Sequence, residues 1–374
     1  MKLATTLVHT GARRDSRTGS VPVPIYQAAT FAHPALGEST GFDYARTGNP
    51  TREALEHGLA ALEGGARGLA FSSGMAAIHC ALQLFHPDDH LVVTADLYGG
   101  TYRLLEQVLK LEHTFVDTSD LTAVQAAVRP NTRGILVETP TNPLMRTCDI
   151  GAIAAIARAA GALLIVDNTF LTPYLQRPLE LGADVVVHSV TKYLAGHNDV
   201  VAGGIVARDS AVGERLYFYQ NAIGAILGPQ DAYLVIRGMK TLALRMEQHQ
   251  RNARAVAAWL CAHPLVEAVH YPGIGGMLSF EVIDPALVPQ ILRSVQLCLF
   301  AESLGGVETL ITYPATQTHA DIPAAVREHL GITDKLLRLS VGIEDAEDIV
   351  ADLAQALEGG GTHGLRDQAA AHRA

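Results

Sequence analysis

A chain of 374 residues is long for one domain and comfortable for two that share a contact, and 48% hydrophobic with 18% charged residues describes a globular protein with a large core. A formal net charge of -10 with no Lys/Arg stripe excludes a nucleic-acid surface, which needs clustered cations to displace counterions. No run approaches the ~20 apolar residues of a membrane span, the start MKLATTLVHTGARRD lacks the apolar core of a signal peptide, and Cys80, Cys148, Cys261 and Cys298 are too scattered for a metal site or a disulfide framework, so a cytoplasmic protein with buried thiols and no bound metal is expected.

Residues 1–46 carry little periodicity, and Pro22, Pro24 and Pro34 interrupt any regular element, which reads as an extended arm. Strand-like runs then alternate with helix-like ones: GLAFSS, HLVVTA, HTFVD, RGILVET, ALLIVDN, DVVVHSV and VAGGIVA, separated by stretches such as GAIAAIARAAG. This alternation predicts an α/β domain over 47–246, with a mostly parallel seven-stranded sheet covered by helices on both faces. Beyond it, a helix-like run through Trp259, short strands such as MLSFEV and LCLFA, and the helix-like DAEDIVADLAQALE predict a smaller α/β domain over 247–361. The glycine-rich end, residues 362–374, has no apolar spacing and reads as a disordered tail.

In parallel sheets ligands gather outside the carboxyl ends of the strands, and Glu138, Asp167, Ser189 and Lys192 all fall at or just past such ends. Lysine is scarce, occurring only at positions 2, 110, 192, 240 and 335. A carboxylate at one strand exit and a lysine past the next suit pyridoxal phosphate: the lysine holds the cofactor as a Schiff base, and the acid keeps its ring nitrogen protonated. Asp167 and Lys192 fit those roles, although spacing alone also allows a surface lysine at a loop. Ser73, Gly74 and Met75 form a glycine-containing turn into a helix-like stretch, which suits a phosphate and equally describes an ordinary cap. Tyr98, just past HLVVTA, can stack on a ring and exchange protons, or simply pack.

The ordered motifs YARTGNPT, SSGMAAI, YGGTYR, ETPTNP, the Asp167 to Lys192 stretch, SLGGVETL and RLSVGIED, from about Tyr44 to Leu353, resemble the Cys/Met-metabolism family of pyridoxal phosphate enzymes. The resemblance implies fold-type I architecture and transsulfuration chemistry: γ-replacement or γ-elimination on a homoserine ester or cystathionine-type amino acid, with β-lyase, sulfhydrylase, methionine γ-lyase or a specialised γ-replacement as alternatives. The remote alternative is a non-catalytic protein of the same fold. By resemblance, Lys192 and Tyr98 are catalytic. Gly74, Met75, Ser189 and Thr191, with Ser73, form the phosphate cup, and Glu138, Asn142, Asp167 and Thr169 complete the cofactor set. Tyr44 and Arg46 match residues that reach the phosphate in a neighbouring subunit, which implies a homotetramer built from dimers with shared sites. Arg338 matches the arginine that grips the substrate α-carboxylate, Ser303 shapes the same pocket, and Glu302 and Arg103 match residues near the distal end of the substrate. The chain departs from the family after Tyr271, where it runs almost directly into Gly275 and lacks a longer connection containing a helix.

Overall fold

The structure, a computed structural model, describes residues 1–11 and 18–359; the expected tail lies outside this range. Seven strands build the first sheet: β1 (Arg67–Phe71), β2 (His90–Thr94), β3 (Glu112–Val116), β4 (Thr132–Glu138), β5 (Leu163–Asp167), β6 (Val185–Ser189) and β7 (Gly203–Ala207). Their order is β1-β7-β6-β5-β4-β2-β3. β7 runs antiparallel to both neighbours, while β3, β2, β4, β5 and β6 are parallel.

Continuous apolar runs are needed because both faces of this sheet are buried. Val92, Ile135, Val137, Leu164, Val166 and Val186 join one core cluster, with Leu55, Leu59 and Leu62 of the helix Pro50–Glu63. Their sequence neighbours Leu91, Val93, Leu136, Ile165, Val185 and Val187 join a second cluster on the opposite face, with Ile78 and Leu82 of the helix Gly74–Leu82. Local chemistry sets the helix ends. Asn49 caps Pro50–Glu63 through the Thr51 and Arg52 N–H groups, and Gly64 closes it in a left-handed conformation at φ 74° that favours glycine.

The second sheet holds β8 (Val266–His270), β9 (Met277–Val282), β10 (Leu299–Phe300), β11 (Leu310–Thr312) and β12 (Leu336–Ser340), in the order β10-β11-β12-β9-β8. Leu278, Phe280, Val282, Leu337 and Leu339 pack there with Ile349 and Leu353 of the helix Ala346–Leu357. Asp352 of that helix accepts hydrogen bonds from the backbone N–H groups of Gln296, Leu297 and Cys298 at 2.8–2.9 Å, tying down the approach to β10. Among the described residues no helix is long and apolar enough to cross a membrane.

Three local expectations are corrected, the first being the buried thiols: Cys80 and Cys298 are buried, but Cys148 is half-buried and Cys261 exposed. The segment expected as a featureless arm contains a helix, Leu3–His9, because Leu3 and Leu7 share one face and pack on the first core. The strand read from LCLFA shrinks to Leu299–Phe300, both exposed at a sheet edge.

Candidate active site

β4 and β5 end level, with Glu138 opposite Asp167 in register, and β6 runs two residues past the Val187 that faces Asp167, to Ser189. A cavity of about 360 Å³ opens at these ends. It is lined by Ser73, Gly74, Met75, Tyr98, Glu138, Asn142, Asp167, Thr169, Ser189, Thr191, Lys192, Glu302, Ser303 and Arg338, so residues drawn from both sheets and their loops meet in one place.

Lys192 sits three residues past β6, where its Nζ donates to Ser303 Oγ at 2.8 Å. Burial first, and then the Arg338 guanidinium, depress its ammonium to about 8, against a smaller opposing pull from Glu302. Ser303 is held at φ 86°, a conformation uncommon for a non-glycine residue, and it serves both neighbours: its Oγ meets Lys192 and its carbonyl accepts from Arg338 Nη2 at 3.0 Å.

Asp167 is half-buried at the edge of the cavity; desolvation raises its carboxyl, and two hydrogen bonds from Thr169 and the charge of His188 offset only part of that rise. Both Thr169 bonds, from N at 3.0 Å and from Oγ1 at 2.5 Å, fall on Oδ1. Thr169 Oγ1 in turn accepts the Ser189 N–H at 2.8 Å, coupling the ends of β5 and β6. Glu138, opposite, is pushed well above the usual carboxylate range by burial and then by Asp167, although its Oε2 accepts the Tyr98 N–H at 3.0 Å. Tyr98 is 39% exposed and borders the cavity.

The floor for an anion lies at the start of the helix Gly74–Leu82. Ser73 Oγ takes the Ala76 N–H at 3.0 Å, and the earlier N–H groups have no acceptor four residues back within the helix. A Cβ on Gly74 would sit 2.9–3.0 Å from Ser189, so only glycine lets the turn close on the hydroxyl that shares this floor. Arg338, buried in β12, sends Nη1 to Asn142 Oδ1 at 2.8 Å and Nη2 to Thr312 Oγ1 at 3.2 Å; its Nε has no partner among the described residues. Burial depresses this guanidinium to about 10.

Three expected residues stand apart from the cavity. Tyr44 is 49% exposed, and the Arg46 guanidinium lies over its ring at 5.7 Å and donates to the Asn221 carbonyl at 3.1 Å. Arg52, buried on the helix Pro50–Glu63, holds the loop carrying both through the carbonyls of Ala45 and Arg46. Arg103 is exposed and ion-paired with Asp321.

The sequence reading missed Phe170 and Thr318, which line the cavity, and His319, whose Nε2 donates to the Asn142 carbonyl at 2.8 Å. Burial depresses His319 to about 4, which keeps it neutral. The reading also missed Asp96, raised by burial to about 6 and held by Thr141 Oγ1 at 2.6 Å, and the fully buried pair Glu63 and His188. A signal existed for His188: it is a titratable residue in the apolar run VVVHSV, on the face opposite Ser189. The segment before His319 offers none.

A glycine turn closed on Ser189 at a helix start, a carboxylate at a strand end with Oδ1 already satisfied, and a lysine amine lowered by burial to about 8 fit pyridoxal phosphate. Residues 4–358 match the Cys/Met metabolism PLP-dependent enzyme family. The chain is 56% identical over 356 residues to the cystathionine gamma-synthase of Haemophilus influenzae, covering 94% of this chain and 96% of that protein. It is 48% identical over 375 residues to a cystathionine beta-lyase of Lactococcus lactis, covering 95% and 99%. The crystal structure of cystathionine gamma-lyase from Lactobacillus plantarum complexed with L-serine matches with a TM-score of 0.93 at 46% identity, over 96% of this chain and 99% of that one. A cavity chemically suited to the cofactor, in a chain matched almost from end to end, has one consequence: the protein belongs to the PLP-dependent enzymes of Cys/Met metabolism and shares their fold-type I architecture.

Proposed function

We propose that the chain is a transsulfuration enzyme that acts at Cγ of an amino acid, by replacement on a homoserine ester or by elimination from cystathionine. The observation that carries this reading is the position of Glu302, which lines the same cavity as Lys192 and Arg338. An arginine and a carboxylate in one pocket suit a substrate with a carboxylate at its near end and an ammonium at its far end, as in cystathionine. The relatives carry three different activities in their names, so the residues around the substrate's far end must decide among them.

In this reading residues 47–246 hold most of the cofactor and residues 247–361 supply Glu302, Ser303 and Arg338. Asp167 faces the ring nitrogen, Gly74, Met75, Ser189 and Thr191 take the phosphate with Ser73, and Lys192 carries the covalent link. Bound there, pyridoxal phosphate supplies an aldehyde that captures amines and a ring that draws negative charge away from Cα. Arg338 orients the α-carboxylate through its planar fork. Lys192 Nζ, depressed to about 8, is neutral often enough near neutral pH to take the Cα proton, and its reach across the cavity suits a second transfer at Cβ. Tyr98 closes the open side and offers its phenol to the substrate amine.

We also read Tyr44 and Arg46 as groups given to a neighbouring subunit's phosphate, in a homotetramer built from dimers. Neither is among the residues that line this chain's own cavity, which supports that reading. The test of function is product analysis with cystathionine, O-acetylhomoserine and O-succinylhomoserine with cysteine, and methionine. Release of 2-oxobutanoate from cystathionine, or formation of cystathionine from a homoserine ester, is the expected result. Pyruvate from cystathionine would replace the reading with β-elimination.

A further inference from the structure

Behind the strand ends, on the face of the sheet away from the cavity, lies a second polar layer that the chemistry above does not use. Glu63, Asn168 and His188 are each fully buried. Glu63 Oε1 accepts from His188 Nε2 at 2.7 Å and from Asn168 Nδ2 at 3.1 Å. Asn168 follows Asp167, and His188 precedes Ser189. One carboxylate oxygen therefore fastens the exits of the two strands whose next residues face the cofactor. Asn168 is itself clamped by Gln176, through Nδ2 to the Gln176 carbonyl at 2.8 Å and Oδ1 from Gln176 Nε2 at 3.0 Å.

This is an expensive place for an acid. Glu63 is the last residue of the helix Pro50–Glu63, where the negative end of the dipole disfavours an anion. It has lost all contact with solvent, and its Oε2 and His188 Nδ1 have no partner among the described residues. A carboxyl so placed either keeps its proton or sits beside a compensating positive charge, and an apolar pair would usually be the more stable choice. His188 is the group positioned to provide that charge.

We propose that Glu63 and His188 form a buried ion pair whose imidazolium sets the ionisation of Asp167 from behind the sheet, making both of them positioning residues for the acid that faces the cofactor ring. The inference rests on the assignment of Asp167 to that ring. His188 meets Glu63 from the neighbouring helix, and its charge reaches Asp167, on the cavity side of the adjacent β5, through the sheet rather than by contact. Around Asp167 itself, Glu138 on β4 repels a second negative charge, and burial favours the neutral acid. The His188 charge and the two Thr169 hydrogen bonds act the other way. Without the pair, Asp167 is left with Thr169 alone to hold its anion, and the hold on a protonated ring nitrogen weakens.

The test separates charge from shape. Full-length holoenzyme is equilibrated with mixtures of pyridoxal phosphate and its deaza analogue, which has carbon in place of the ring nitrogen, and the ratio bound is counted by mass spectrometry. Glu63→Gln keeps an oxygen for both donors and removes the charge; His188→Gln removes the cation. Both variants are expected to lower the parent's preference for pyridoxal phosphate about tenfold, the loss of one favourable charge interaction, and the double variant should go no further than either single one. An unchanged preference in both, or equal weakening toward both ligands, overturns the inference. If one variant fails to fold, the other decides. A parent with no preference between the two ligands overturns the assignment of Asp167 to the ring, and this inference with it.

Discussion

Replacing Lys192 by methionine should make the cofactor-free protein more stable, not less. The folded state holds this ammonium in a place where burial and the Arg338 guanidinium oppose its charge, lowering it from 10.5 to about 8. Such a shift corresponds to about 3 kcal/mol. The side chain still borders the cavity, and the bond to Ser303 Oγ is lost in the variant, so a net gain of about 2 kcal/mol at pH 7 is expected. The sign follows from proton binding. Below pH 8 lysine is charged in both states and the folded protein carries the full penalty. Between about 8 and 10.5 only the unfolded chain holds the proton, so the parent gains stability as pH rises. Urea unfolding of cofactor-free parent and Lys192→Met from pH 6 to 10 measures this directly. The variant should lead at low pH and lose its lead progressively above pH 8. Parallel curves, or a parent more stable than the variant at pH 7, would mean that the amine is not desolvated, and the argument for its acting as a base near neutral pH would go too.

Arg338→Lys removes the fork that reaches Asn142, Ser303 and Thr312; KM for the amino acid should rise at least tenfold in steady-state assays, the loss of one charge-assisted bond. Glu302→Val should erase the preference for cystathionine over methionine, read as the ratio of kcat/KM; an unaltered ratio removes Glu302 from substrate selection. Asp352→Ala leaves three backbone N–H groups without their acceptor, and a loss of about 2–4 kcal/mol is expected in denaturant unfolding. Mixing inactive Lys192→Ala with inactive Arg46→Ala protein under subunit exchange should restore activity in hybrids carrying one site free of both substitutions. No recovery, with exchange verified by mass spectrometry, would show that Arg46 serves its own chain.

Much of this architecture could be read from the chain because parallel strands covered on both faces need unbroken apolar runs, and the three central runs, β4, β5 and β6, end on Glu138, Asp167 and Ser189. VVVHS ends at Ser189 and LLIVD at Asp167, and the turn that follows β6 delivers Lys192. The helix Leu3–His9 escaped because seven residues with Leu3 and Leu7 as the apolar contacts give too weak a pattern to read. Arg103 was drawn in by its motif; in the fold Asp321 takes it from outside the cavity, a contact spanning more than two hundred residues of sequence.

What the chain conceals most completely is charge state, because that depends on what lies on the far side of a strand. Asp96, Glu138 and Asp167 look alike in sequence, each an acid at or beyond a strand end, yet burial raises all three and the neighbours then divide them. Asp96 has one hydroxyl and sits near 6. Glu138 is driven furthest toward the neutral acid because Asp167 stands opposite it in register. Asp167, raised by burial as well, accepts two hydrogen bonds from Thr169 on one oxygen, and these pull it back in the opposite direction. Like charges this close in a dry site do not all ionise, so the proton that one acid gives up is kept by its neighbour. The acid proposed to face the cofactor ring is the one with two donors on a single oxygen, and the fold supplies both from Thr169, a residue that need never touch the substrate.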